Sequence, residues 1–185
     1  MLFRSEVSPH DPATVYVAYR TDRVGDPAPH VFKSTDYGAT WTQLVNGFRD
    51  GEPVRVVRED PARRNLLYAG TETGAYLSFD GGAKWTPFPA TLPVVPVTDL
   101  EVHDGDLVAA TEGRAFWIMD DLSAIRQHQD SLMVKPAYVY APTSAVLAGG
   151  PAAPARNAGR NPAPGATLFY RLAAAPDSKI GRAHV

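Results

Sequence analysis

The octapeptide STDYGATW at residues 34–41 recurs as SFDGGAKW at residues 78–85. Both copies fit the pattern Ser-x-Asp-x-Gly-x-(Thr/Lys)-Trp, and they start 44 residues apart. A related element precedes each copy, HDP at residues 10–12 before VYVA and EDP at residues 59–61 before LLYA. A third and incomplete copy covers residues 103–120 and lacks the Asp-Gly-Trp box. The chain is therefore built from a repeat of supersecondary size.

Within each repeat the apolar runs are short, rich in Val, Tyr, Leu and Phe, and bounded by Gly, Pro, Asp or Asn, which is typical of strands. The clearest unit predicts four strands, at residues 54–57, 66–70, 75–79 and 84–88. A four-stranded unit that repeats at this spacing is typical of a β-propeller blade. We therefore predict an all-β fold, a partial β-propeller of about two and a half four-stranded blades with Asp boxes.

The pattern changes after Asp120, where Asp121 is predicted to cap a short helix that reaches Arg126. Residues 143–167 hold 8 Ala, 4 Gly and 4 Pro, a composition that cannot bury enough apolar surface to order itself. It predicts a Pro/Ala/Gly-rich linker, followed by one strand of a β-sandwich. The predicted layout is non-native sequence at 1–5, the C-terminal blades of a propeller at 6–127, a linker at 128–167, the start of a following β domain at 168–178, and non-native sequence at 179–185.

Both ends of the chain resemble translated sequencing-library adapter. IGRAHV at residues 180–185 resembles one reading of such an adapter, and LFRS at residues 2–5 resembles its reverse complement. Side chains without evolved partners fray, so we expect both ends to be exposed and irregular, apart from pairing of Leu2 and Phe3 with an open blade edge. Arg4 is expected to lack a partner.

Composition excludes several classes of function. The 20 acidic and 18 basic residues leave a net charge of -2 with no basic stripe, so no nucleic-acid partner is predicted. No apolar run approaches the roughly 20 residues of a membrane span. The chain has no cysteine, and its five histidines have no metal-ligand spacing. No metal site and no cofactor are predicted.

The repeated box has a local physical explanation. Its Asp lies at a tight turn, where a short carboxylate accepts hydrogen bonds from backbone amides, and its Gly supplies a positive φ. Its Trp begins the outer strand and covers the hairpin. We predict a structural role for the residues of both boxes, which are Ser34, Asp36, Gly38, Trp41, Ser78, Asp80, Gly82 and Trp85.

This box resembles the Asp box of sialidase-like and sortilin-like propellers of the wider WD40/YVTN/BNR-like group, where it is a folding element on the face away from the ligand site. The stretches at 54–61, 67–74, 106–126 and 161–166 resemble bacterial exported proteins that are sortilin-like or BNR-repeat glycosyl hydrolase-like. In these proteins a propeller precedes β-sandwich modules. The resemblance covers about residues 6–178 and implies a secreted or periplasmic parent protein.

The same resemblance points to one face of the propeller. Loops between the second and third strands, at about 22–30, 71–74 and 111–114, emerge opposite the boxes. Glu72 and Glu112 lie in equivalent loops, and a pair of carboxylates across a cleft is what glycoside hydrolysis requires. They are weak catalytic candidates, with Thr73 and Arg114 as ligand-face candidates; solvated loop charges are the alternative. The family has Thr-His-Gly-Arg where this chain has Glu112 in place of the histidine.

These observations favour a piece of an exported, sortilin-like BNR-repeat propeller that acts as a binding or interaction scaffold. The alternative is a glycoside hydrolase, sialidase-like or xyloglucanase-like, whose active site lies partly outside this sequence. The expected partners are a protein or glycan ligand and the missing blades of the parent propeller, because an open propeller exposes faces that a closed one buries.

Overall fold

The computed structural model describes residues 2–88, 92–145 and 166–174. Contacts divide the chain into two units, residues 1–119 and residues 120–185. The predicted boundary lay at residue 127, and the division falls between Met119 and Asp120. Each unit is described by itself below.

The first unit consists of three antiparallel sheets that follow one another along the chain. Blade 1 contains β1 (Leu2–Val7), β2 (Val15–Arg20), β3 (Val31–Ser34) and β4 (Thr42–Gln43), in that order across the sheet. Blade 2 contains β5 (Val54–Glu59), β6 (Leu67–Thr71), β7 (Ala75–Ser78) and β8 (Thr86–Pro87). Blade 3 contains β9 (Val97–His103), β10 (Asp106–Thr111) and β11 (Phe116–Met119).

The sheets pack side by side in the manner of propeller blades. Strand β5 contacts β1 and β2 of blade 1, and β9 contacts β5 and β6 of blade 2. One apolar core joins blades 1 and 2; it includes Tyr16, Val31, Val54, Leu67 and Trp85. The predicted all-β partial propeller is therefore confirmed, with two four-stranded blades and one three-stranded blade.

The strands of blade 2 arise where the sequence predicted them. Each of its four predicted segments contains a strand, although the fourth is short. Residues of β6 and β7 are buried throughout, since blade 2 has a neighbour on either side. Strand β11 is different: it lies at the edge of its sheet, and Phe116 is 73% exposed.

The expectation that residues 2–5 are irregular was wrong, although residues 3–5 are exposed and the expected pairing of Leu2 and Phe3 with a blade edge is present. Leu2 to Val7 form a regular strand, and its register with β2 runs unbroken from Leu2 opposite Arg20 to Val7 opposite Val15. Arg4 also has a partner, because its guanidinium lies 2.8 Å from Asp99. The physical reason is that the edge of β2 offers unpaired backbone groups to any extended segment beside it. Residues 175–185 lie outside the described residues.

The described part of the second unit contains two short helices, α1 (Ser123–Gln127) and α2 (Asp130–Met133), and two paired strands, β12 (Ala137–Val139) and β13 (Tyr170–Leu172). Asp121 accepts a hydrogen bond from the Ser123 amide at 2.9 Å, in the region where the sequence predicted a cap. The described part of the predicted linker, residues 128–145, thus holds α2 and β12. Residues 146–165 lie outside the described residues. None of the helices in the described ranges is long and apolar enough to cross a bilayer.

Candidate functional site

The two candidate glutamates lie close together, and a single arginine joins them. Arg55, on β5, donates two hydrogen bonds to Glu72, with Nε 2.7 Å from Oε1 and Nη2 2.8 Å from Oε2. Its Nη2 also lies 3.0 Å from Oε2 of Glu112 in the next blade. The forked guanidinium is suited to such bidentate binding of a carboxylate. The pKa of Arg55 is raised, chiefly because of its hydrogen bond to Glu72.

A second arginine extends this arrangement into blade 1. Arg20, at the end of β2, places Nη2 2.8 Å from Oε1 of Glu72. It also binds Asp22 through two hydrogen bonds of 3.0 and 2.6 Å. The hydrogen bond from Arg20 is the main reason why the pKa of Asp22 is below its ordinary value. We call the row Asp22, Arg20, Glu72, Arg55 and Glu112 the loop ion-pair network; it spans all three blades.

The remaining candidates, Arg114 and Thr73, have other contacts. Arg114 is exposed, and its backbone carbonyl accepts a hydrogen bond from the Trp117 indole at 3.1 Å. No ion pair among the described residues links Arg114 to Glu72 or Glu112. The Thr73 hydroxyl donates to Glu52, and its amide donates to the Thr71 hydroxyl at 3.3 Å. Thr73 therefore closes the turn between β6 and β7.

Glu52 is a buried carboxylate that the sequence did not reveal. It is 4% exposed and accepts hydrogen bonds from the Thr71 hydroxyl at 2.6 Å and the Tyr76 hydroxyl at 2.7 Å, in addition to that from Thr73. Burial raises its pKa, but the three hydroxyl donors outweigh burial and leave the pKa below the ordinary value. Burial, and then the bond to Glu52, raise the pKa of Tyr76 to about 12. Its position in the turn-like stretch Gly51-Glu52-Pro53 gave no signal of this role.

A separate group of charges lies on the first strands of the three blades. Arg58 of β5 contacts Glu6 of β1 at 2.9 Å and Asp99 of β9 at 2.9 Å, and Arg4 binds the same aspartate. Burial raises the pKa of Glu6 even though Arg58 opposes the shift. A cleft of about 330 Å³ lies beside these residues, with Glu59 also in its lining. These contacts tie β1, β5 and β9 together.

Both Asp boxes form the same turn. In blade 1 the Ser34 hydroxyl donates to Asp36 at 2.7 Å and accepts from the Gly38 amide at 2.9 Å. In blade 2 Ser78 makes the equivalent bonds to Asp80 and Gly82, at 2.7 and 2.9 Å. The hydroxyl and amide of Thr40 lower the pKa of Asp36 to about 2, with the hydroxyl as the larger cause. The aspartates are thus occupied by hydrogen bonds of the turn, and the structural role of the box residues stays a prediction.

The chemistry open to this surface follows from its hydrogen bonds. A glycosidase needs two carboxyl groups with room for a sugar or a water between them. Here the Arg55 guanidinium lies between Glu72 and Glu112 and binds both. In the described ranges no group of three or more His, Cys, Asp or Glu side chains is arranged to hold a metal. The loop ion-pair network therefore joins blades rather than presenting a free pair of carboxylates.

Comparisons with known proteins give weak matches. No protein-family model matches the chain, and no curated protein matches it. Among solved structures, a GH74 xyloglucanase from Xanthomonas campestris is 20% identical with a TM-score of 0.47, over 63% of this chain and 22% of that chain. YCF48 bound to D1 peptide is 17% identical with a TM-score of 0.41, over 62% of this chain and 35% of that chain. YCF48 from Cyanidioschyzon merolae is 16% identical with a TM-score of 0.44, over 63% of this chain and 37% of that chain. This chain thus matches less than two thirds of the length of each.

Proposed function

We propose that this chain is part of an exported, sortilin-like BNR-repeat propeller that works as a binding scaffold for a protein or glycan. The observation that carries the proposal is the shared partner of the two candidate glutamates: Glu72 and Glu112 both bind Arg55. A general acid must carry a proton and reach the leaving group, and a base or nucleophile must be free to approach the sugar. Carboxylates that accept from a common guanidinium are instead held in fixed positions between blades.

The first test asks whether Glu72 stabilises the contact between blades. Glu72→Gln replaces a bidentate acceptor by a neutral amide and leaves Arg20 and Arg55 without their shared carboxylate, so we expect unfolding to become easier by about 1–3 kcal/mol. Asp50→Asn, which changes an exposed carboxylate outside the network, is the control and should alter stability by less than about 0.5 kcal/mol. Urea unfolding followed by circular dichroism measures both. Equal free energies of unfolding for the two variants would contradict a stabilising role of Glu72 between the blades.

The second test addresses glycoside hydrolysis by the complete parent protein. Xyloglucan oligosaccharides and sialyllactose serve as probes, and product release is followed by chromatography for the wild type and for the variants Glu72→Gln and Glu112→Gln. The scaffold proposal expects no turnover by any of the three. Turnover by the wild type that is lost in either variant would establish the hydrolase instead. Binding of a probe without its turnover would support the scaffold.

Export is the third element of the proposal. Its support is the resemblance of the repeat to bacterial exported propellers. Fractionation of source cells, with antibody detection of the parent protein, should find it in the periplasm or the medium. Recovery only with a cytoplasmic marker would contradict export while leaving the other two tests intact.

A further inference from the structure

We infer that the uncovered Asp box of blade 1, residues 34–41, is the docking site for a further blade that precedes it in the ring and ends in a segment like residues 44–48. We call the segment LVNGF at residues 44–48 the clasp. The clasp follows β4 of blade 1 and covers the box of blade 2. The inference rests on the fold and does not depend on the proposed binding function.

The covered box shows how the clasp recognises its target. The Trp85 indole donates to the carbonyl of Leu44 at 3.0 Å, and the Trp85 amide donates to the carbonyl of Asn46 at 2.8 Å. In return, the Asn46 side chain donates to the carbonyl of Ala83 at 3.1 Å. Three hydrogen bonds therefore run between the clasp of one blade and the box of the next.

Close packing of the clasp against the box accompanies these hydrogen bonds. The rings of Phe48 and Trp85 stack with centroids 4.9 Å apart. A Cβ at Gly47 would lie 2.1 Å from the Trp85 carbonyl oxygen, so the backbones approach as closely as glycine allows. On the box side, a Cβ at Gly82 would lie 2.6 Å from a methyl carbon of Leu44. The box glycine thus serves two purposes, because it forms the turn and also leaves room for the clasp.

The box of blade 1 has the same turn, and no described residue covers it as the clasp covers the box of blade 2. Trp41 is 45% exposed, whereas Trp85 is 1% exposed. The Trp41 indole donates within its own box, to the carbonyl of Gly38 at 3.0 Å. Among the described residues, a Cβ at Gly38 would lie within 4 Å of the Trp41 ring alone, at 3.6 Å. Tyr37, at the tip of the same turn, is 78% exposed.

The repeat identifies the occupant as another blade. Phe88 follows the outer strand of blade 2 as Leu44 follows that of blade 1, 44 residues earlier. The amides of both residues donate to the strand next door, that of Leu44 to the Val31 carbonyl at 2.8 Å and that of Phe88 to the Ala75 carbonyl at 2.9 Å. The exit from an outer strand is therefore a repeated feature. A second copy of the chain is a poorer occupant, because its own clasp is already engaged with its own Trp85.

A tandem protein tests this inference. An extra copy of residues 2–53 is joined directly in front of Leu2 of the full chain, which puts a donor clasp ahead of the box at residues 34–41. The donor copy carries Trp41→Phe, and all tryptophans are labelled with fluorotryptophan. Fluorine NMR with a soluble gadolinium chelate then reports the exposure of each indole. The chain without the extra copy should show a broadened Trp41 signal and a protected Trp85 signal.

In the tandem, we expect the gadolinium chelate to broaden the Trp41 signal of the full chain no more than it broadens the Trp85 signal. A control tandem with Leu44→Asp and Gly47→Val in the donor copy alone should leave Trp41 as broadened as in the single chain. Trp85 reports folding internally in every protein. A tandem in which Trp85 is protected while Trp41 is broadened as in the control would overturn the inference.

A second measurement does not depend on the folding of the tandem. A synthetic peptide of residues 42–49 is titrated into the labelled full chain, with a scrambled peptide as the control. Saturable movement of the Trp41 signal by the native peptide alone supports the docking site. Equal movement by both peptides, or none by either at millimolar concentration, counts against it.

Discussion

The two Asp boxes have the same turn but different surroundings. Ser34 and Ser78 make hydrogen bonds of the same lengths to their aspartates, yet Trp41 is largely open while Trp85 is buried under the clasp. The side-chain hydrogen bonds of the turn lie within the eight residues of each box. One amide of each turn also donates to an earlier residue, that of Tyr37 to the Ala13 carbonyl at 3.0 Å and that of Gly81 to the Asn65 carbonyl at 2.8 Å. Burial of the tryptophan needs the neighbouring blade. One motif thus acts both as a local turn and as a joint between blades.

The tryptophans should show the largest difference between the two boxes. Trp85→Ala removes a fully buried indole and leaves a cavity, so we expect a loss of about 3–5 kcal/mol in the free energy of unfolding. Trp41→Ala removes a partly exposed ring and should cost about 1 kcal/mol or less. Urea unfolding of the two variants side by side measures this. Similar losses would mean that the joint does not stabilise blade 2.

A glycine pair tests the close approach of clasp and box. Gly47 and Gly51 both have positive φ, of 102° and 71°, but only Gly47 faces another backbone. Gly51→Ala should therefore cost only the backbone strain of a side chain at positive φ, about 1–2 kcal/mol. Gly47→Ala adds a steric clash with Trp85 and should cost about 1–3 kcal/mol more. Equal melting temperatures of the two variants would contradict the contact.

The sequence was sufficient for the blades and the boxes, because strand periodicity and turn chemistry are local. It did not reveal the clasp, since LVNGF has no special pattern and gains its role only against Trp85. Glu72 and Glu112 were expected in neighbouring loops, but their shared partner was not. Arg55 lies where the register between β5 and β6 shifts, between Val54 and Val56, so simple alternation could not assign its face.

Two further features of the structure, a buried carboxylate and the full length of a paired edge strand, could not be predicted from sequence patterns. Sequence patterns gave no signal for Glu52, because burial of a carboxylate is rare unless donors from distant residues compensate for the lost water. Those donors come from β6 and its following turn and from β7, which a linear reading does not bring to Glu52. At residues 2–5 the expected edge pairing of Leu2 and Phe3 extends through the whole segment, since backbone pairing along a sheet edge needs little side-chain information.

The smallest expected difference between the boxes concerns pH. Thr40 donates its hydroxyl to Asp36, whereas the equivalent residue in blade 2 is Lys84. Because the folded-state pKa of Asp36, about 2, is below its ordinary 3.8, this carboxylate contributes stability above pH 3.8 that is lost as pH falls through 2. Thr40→Val removes the largest cause and should raise the pKa of Asp36, as NMR titration of the carboxyl carbon would show.

The stability difference between the wild type and Thr40→Val should accordingly be present at neutral pH and decrease as the pH falls through 2, where the Asp36 carboxyl of the wild type becomes protonated. Lys84→Ala is the matched control, because Lys84 contributes only its backbone amide to Asp80 at 2.9 Å. A difference for Thr40→Val that persists undiminished at pH 2 would exclude the hydrogen bond to ionised Asp36 as its cause.

Hydrogen exchange at the indole nitrogens tests most directly the claim that a box becomes a joint only when a neighbouring blade covers it. The Trp85 indole donates to Leu44 of another blade, and the Trp41 indole donates within its own exposed turn. We predict that Trp85 exchanges only when the blades open, and therefore far more slowly than Trp41, which should exchange through local fluctuations. Equal protection of the two indoles under native conditions would contradict the claim that the neighbouring blade protects Trp85.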